Sequence, residues 1–155
     1  MTRTEQLAKH IERTVTGPLW HGPVLDEVLA GVTAEQAAAR PIASAHSIWE
    51  LVLHVAAWAE ITRARLDGRA LGDPPDELNF PAVRDVSAAA WDAACDRLRE
   101  SHRDLAARVR QMDEATLDRR IDGLPFSPWF MLHGVVEHGT YHGGQMALLK
   151  KAAGG

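Results

Sequence analysis

Residues 127–151 read SPWFMLHGVVEHGTYHGGQMALLKK, and this stretch decides the fold. Ser127 followed by Pro128 is a helix start: a side chain able to cap free N–H groups, then a residue whose missing N–H costs nothing in the first turn. From there Val135, His138, His142, Gln145 and Leu149 recur at steps of three and four, which places them on one helical face. Lys150 and Lys151 suit the negative end of the helix dipole, so the spacing predicts a helix to about Lys151. Two imidazoles interrupt a seam that should be apolar and buried, and that costs free energy unless their ring nitrogens are satisfied.

Working outward, three more segments carry apolar residues at helical spacing, and no segment alternates as a strand would. A helix starts at Thr2 or Thr4, where Thr2-x-x-Glu5 reads as a capping box, and breaks at Gly17-Pro18. The helical pattern resumes around Pro23 with Leu25, Val28 and Leu29, and Thr33-x-x-Gln36 caps a further short helix that Pro41 ends. The second long helix is expected from Ser47, whose capping box with Glu50 opens a run free of Gly and Pro until Gly68. Its core stripe is Ile48, Leu51, Val52, Val55, Ala59 and Thr62. Gly68 to Pro81 holds two glycines and three prolines, so it is a surface connection that cannot stay helical. The third long helix runs from about Ser87 with Trp91, Ala94, Leu98, Leu105, Val109 and Met112 inward, and Asp113 to Gly123 is polar and irregular. The expected class is all-α: a four-helix bundle with a long crossover connection between long helices two and three, in a single domain over residues 1–155.

Composition narrows the function. The 155 residues are 46% hydrophobic and 25% charged, as in ordinary globular proteins, and the formal charge of −4 comes with no Lys/Arg run to track phosphates. Nucleic acid is therefore not an expected partner. The single cysteine, Cys95, cannot form an internal disulfide, which fits a reducing compartment, and it reads as a small core residue. The opening MTRTEQLAKHIERT lacks the layout of a signal peptide, and no apolar run is long enough to span a bilayer. A cytoplasmic location without membrane attachment is the expectation.

The candidate chemistry lies in the histidines. His138 and His142 stand one turn apart on one face, within reach of a common ion, and His54 points near the core from the second long helix. Eight histidines in a chain of this length give about 0.4 pairs at that separation by chance, so spacing alone leaves two readings equal. Either the histidines bind a metal, or they are core residues bonded to carbonyls or carboxylates. Around them, Glu50 reads as the helix cap instead of a base, and Glu137 faces about 100° away from the pair. Candidate pocket residues are His21 in a Gly/Pro-bounded loop, Trp58 one turn after His54, and Gln145 on the ligand face, which either contacts a ligand or braces a neighbouring helix. His46 could shape the pocket in the way of His21 or only its own turn; His10, His102 and His133 are given no role.

The wording around the histidines, HSIWELVLHVAAW at 46–58 and HGVVEHGTYHGGQMALLKK at 133–151, resembles the DinB family. The second stretch is similar to that family's last-helix signature, matched here by His138, Tyr141, His142, Gly144 and Gln145. The first is similar to its second-helix histidine, here His54, and the resemblance takes in the TAEQAAARP before that helix. It implies a four-helix bundle of the DinB/YfiT-like type, often homodimeric, with His54, His138 and His142 as ligands of one divalent metal ion. The segment TGPLWHG at 16–22 departs from the simplest family pattern by splitting the first helix.

Three neutral imidazoles leave positions for water or substrate, which distinguishes catalytic from closed structural sites. Imidazole suits zinc, nickel, iron and copper alike; zinc or nickel is the expectation, with iron behind them. The resemblance favours an enzyme that uses the ion to activate water or a low-molecular-weight thiol, such as mycothiol, bacillithiol or glutathione, toward a small-molecule electrophile. The alternatives are a non-catalytic dimeric protein that binds a metal and a small ligand in a stress response, and a structural bundle with satisfied core histidines.

Overall fold

The computed structural model describes residues 1–154, and among them it holds seven α-helices and no strand. Four helices are long: α1 (Arg3–Thr16), α4 (Ile48–Leu66), α6 (Ala88–Arg110) and α7 (Pro128–Ala152). The short ones are α2 (Leu25–Leu29), α3 (Ala34–Ala38) and α5 (Asp76–Asn79), with a 3-10 turn at Glu114–Thr116. α1 and α4 each pack against both α6 and α7, so the four long helices form a bundle in which α1 lies diagonal to α4. Residues 67–87 cross from α4 to α6.

Local chemistry accounts for the boundaries. Ser47 accepts the Glu50 N–H while the Glu50 carboxylate accepts the Ser47 N–H, and Thr33 and Gln36 repeat the arrangement. Each such cap contributes about 1 kcal/mol. At the N-terminus only half of the expected box forms: Thr2 accepts the Glu5 N–H, but the Glu5 carboxylate turns to Arg110 on α6. α1 ends at Gly17, whose φ of +73° suits a residue without a side chain. The pattern then resumes at Leu25, two residues after Pro23, where the Glu27 carboxylate accepts the Val24 N–H. Lys150 does more than meet the dipole of its own helix, because its ammonium donates to the carbonyls of Val28 and Ala30 at the end of α2.

The core divides into two apolar clusters. One gathers Leu25, Val28, Val52, Val55, Trp91, Leu98, Met146 and Leu149; the other gathers Leu7, Ile11, Ala59, Leu105, Val109, Leu132 and Val135. Fully burying a side chain of this size stabilises the fold by about 1.5–3 kcal/mol. Between the clusters the inward positions turn polar: Thr14 on α1, Ser101 and His102 on α6, His138 and His142 on α7. The bundle thus carries a polar layer across its middle, and the histidines lie in it. α7 stays close to its neighbours there by means of glycine: a Cβ on Gly139 would stand 2.7 Å from the Thr14 methyl.

Candidate metal centre

α4 and α7 pack side by side and bring His54, His138 and His142 together, with one ring nitrogen from each within 4.8 Å of the others. His54 and His142 are buried, at 6% and 9% exposure, and His138 is half-buried. The closest pair is Nε2 of His138 and Nε2 of His54, 2.9 Å apart. Ligand nitrogens on a tetrahedral zinc stand about 3.3 Å from one another, so this pair is already near coordination spacing.

Two outer contacts settle which nitrogen faces inward. His54 Nδ1 lies 2.6 Å from the Asn79 carbonyl oxygen, which can only accept, so the ring carries its proton on Nδ1. His142 Nδ1 donates likewise to Oε1 of Gln145 at 2.6 Å. Both rings therefore turn an unprotonated Nε2 toward the cluster, the tautomer that metal-ligating histidines acquire from such partners. Burial, and then the neighbouring His142 and His54, pushes the His138 pKa down to about 3. Burial also lowers His54 and His142, against the partial opposition of their hydrogen bonds to Asn79 and Gln145. At neutral pH all three are uncharged bases, as a metal requires. Without an ion, one ring proton between His138 and His54 satisfies the 2.9 Å pair, and a divalent ion can take the place of that proton, so the donor set fits one ion.

The crossover contributes residues that the sequence pattern did not single out. Besides its carbonyl, Asn79 offers Oδ1 to the indole N–H of Trp58 at 2.9 Å, and thereby ties Trp58 to the same turn that orients His54. Phe80 stacks between His54 and His46, each ring centroid 4.0 Å from its own. This stack covers one face of His54. Aperiodic, Pro-rich segments offer no face to predict, and the one available signal was the single aromatic residue of the connection.

The expected pocket residues fall in three places. Trp58 lines a cavity of about 770 Å³ that His54 and His138 also line. Gln145 braces the His142 ring instead of a neighbouring helix. His21 is exposed and lines a separate cavity with Thr14, Leu25, Gly139 and Gly143, away from the three histidines. Glu50 caps α4 and pairs with Arg40, and Glu137 is exposed. His102, for which the sequence suggests no role, is buried at 1% exposure in the polar layer; its Nδ1 donates to the Leu98 carbonyl and its Nε2 has no partner. Burial pushes its pKa down to about 4. Cys95 is a buried thiol, raised to about 11 by burial, and so is not a nucleophile at neutral pH.

No helix of the described residues is long and apolar enough to cross a membrane. No curated protein and no solved structure matches the chain. The family model for the DinB superfamily matches residues 20–146, a span that takes in all three histidines, Asn79 and Gln145. An all-α bundle of four long helices, a histidine cluster able to hold a metal and a family match over most of its length agree, and the chain belongs to the DinB superfamily.

Proposed function

We propose that this protein is a metal-dependent enzyme in which His54, His138 and His142 hold one divalent ion, zinc or nickel, for work on a small electrophile. The observation that carries the reading is the pair of outer hydrogen bonds, from His54 to Asn79 and from His142 to Gln145, which leave Nε2 free on rings locked in position. An ion bound there supplies a nucleophile at neutral pH by lowering the pKa of a coordinated thiol or water. The chain supplies the rest. His54 and His138 open onto a cavity of about 770 Å³, within the range of small-molecule sites, and Trp58, Met131 and Val135 give it apolar walls. Phe80 and the Asn79 turn hold the His54 plane, so that ring is oriented before a ligand enters.

A low-molecular-weight thiol is the cosubstrate favoured by the family resemblance. The test is thiol consumption by zinc- or nickel-loaded protein across a panel of epoxides, alkyl halides and unsaturated carbonyl compounds, with His142→Ala as control. Metal-dependent loss of thiol that the variant abolishes is expected. A panel with no metal-dependent turnover overturns the enzymatic reading. One observation favours a second reading, a non-catalytic protein that binds a metal and a small ligand: Asp73 is the one carboxylate lining the cavity among the described residues, so side chains for proton transfer are few. A ligand held at the metal and recovered unchanged would support it.

A further inference from the structure

Arg65 is the one Lys, Arg, Asp or Glu among the described residues that is buried, at 7% exposure. It stands in the last turn of α4, on the stripe that carries Trp58 and Thr62, and it lines the same cavity as His54 and His138. Its guanidinium makes no salt bridge: Nε donates to the Ala70 carbonyl and Nη2 to the Gly72 carbonyl, each at 3.1 Å, and Nη1 makes no hydrogen bond. Asp73 also lines the cavity but does not pair with it. The guanidinium carbon sits 5.3 Å from the centre of the Trp58 ring, a cation–π contact.

An arginine is almost never buried without an anionic partner, because neutral dipoles and an aromatic face replace its lost hydration only in part. Several arginines of this chain take carboxylates, Arg97 with Glu60, Arg99 with Asp26 and Arg110 with Glu12, and those that bond only carbonyls, Arg13 and Arg120, are exposed where Arg65 is buried. No carboxylate of the described residues pairs with Arg65, and its side chain lines the cavity. We propose that Arg65 is the binding group for a carboxylate on the ligand of this cavity. A planar carboxylate suits the guanidinium fork, and one cation with Asp73 nearby suits a monoanion better than a phosphate dianion.

The distances then set the ligand's layout. From the guanidinium carbon to the Trp58 ring is 5.3 Å, and from that ring to the His138 ring is 6.0 Å, so at most about 11 Å separates the cation from the histidine cluster. The ligand has a carboxylate at one end, an apolar middle against Trp58, Leu71, Phe126 and Met131, and its reacting group at the histidines. The inference shares the cavity with the proposed function, while the arginine acts without the metal.

The test is calorimetric titration with 4-phenylbutyrate and its neutral amide, on chelator-treated and on zinc-loaded protein. The expected result is at least tenfold tighter binding of the carboxylate in both forms. Arg65→Gln is expected to abolish that preference, and Arg65→Lys, which keeps the charge, to retain part of it. Because Arg65 also holds the turn at Ala70 and Gly72, the comparison of acid with amide on the unaltered chain stands without any variant. Equal binding of acid and amide overturns the proposal, as does no binding of either at millimolar concentration. A preference confined to the zinc-loaded form also overturns it, since the carboxylate is then a metal ligand. Tighter binding of phenylphosphonate than of the carboxylate overturns the choice of anion. If the protein binds no metal at all, the chelator-treated arm still decides the question.

Discussion

Replacing Gln145 with leucine separates a brace for a metal ligand from a brace for a core histidine. The side chain accepts one hydrogen bond, from His142 Nδ1 at 2.6 Å, and lines a mostly apolar cavity with Ile42, Leu51, Leu148 and Leu149 beside Ser44 and His46, so leucine keeps the volume in tolerant company. Without metal, the lost bond costs about 0.5–1.5 kcal/mol, and new apolar contact offsets part of it. With metal, the same bond holds the imidazole in the tautomer and orientation that present Nε2. Loss of such a partner lowers affinity about 10- to 100-fold, or roughly 1.4–2.7 kcal/mol. His54 keeps its own brace, a backbone carbonyl that the substitution does not touch, so binding is weakened and not abolished. Zinc affinity measured by competition with a chelator, beside urea denaturation of the metal-free protein, reads both quantities. The expected outcome for Gln145→Leu is a Kd raised 10- to 100-fold with metal-free stability changed by less than about 1 kcal/mol. An unchanged Kd in a folded variant would refute the reasoning.

Two further predictions concern the polar layer. His102 has an ordinary value of 6.5 in the unfolded chain and about 4 when folded, so the unfolded state binds more protons, and stability is full above about pH 6.5 and lost as pH falls toward 4. Between pH 7.5 and pH 5, metal-free His102→Leu should therefore lose about 2 kcal/mol less than the unaltered chain in denaturant titrations; parallel losses would contradict this. Gly139→Ala should destabilise by about 1–3 kcal/mol, because its Cβ meets the Thr14 methyl at 2.7 Å. In a Thr14→Ser background that methyl is gone, and the same change should become neutral or stabilising by up to about 1 kcal/mol from helix propensity. A penalty of the same size in both backgrounds, read from urea midpoints, would locate the strain elsewhere.

The parts of this molecule that repeat were legible in the sequence. Ser47 with Glu50, Ser127 with Pro128 and the stripe from Ile48 to Thr62 announce α4 and α7 through local rules, and the three histidines could be read because they stand on those regular faces. Arg65 and His102 were legible in principle. Arg65 is the next inward step after Thr62, and His102 falls four residues after Leu98 and three before Leu105, so each is a polar residue at a core position. Asn79 and Phe80 were not legible, because a residue in an aperiodic crossover acquires its role from where the chain returns, and periodicity carries no information on that. Gln145 was legible as a residue on the ligand face, but its hold on His142 was not, because that depends on the rotamer of a ring three residues away on its own helix. His21 shows the converse: its loop ends near α1 and α7, yet on the side of the bundle that faces a different cavity.

Whether His54, His138 and His142 hold a metal ion is decided by elemental analysis of tag-free protein purified at neutral pH. About one divalent ion per chain is expected, retained through gel filtration and lost in His142→Ala while the helical circular dichroism is kept. Protein that is folded yet carries no tightly bound ion, and takes up none when zinc or nickel is supplied, would contradict this expectation.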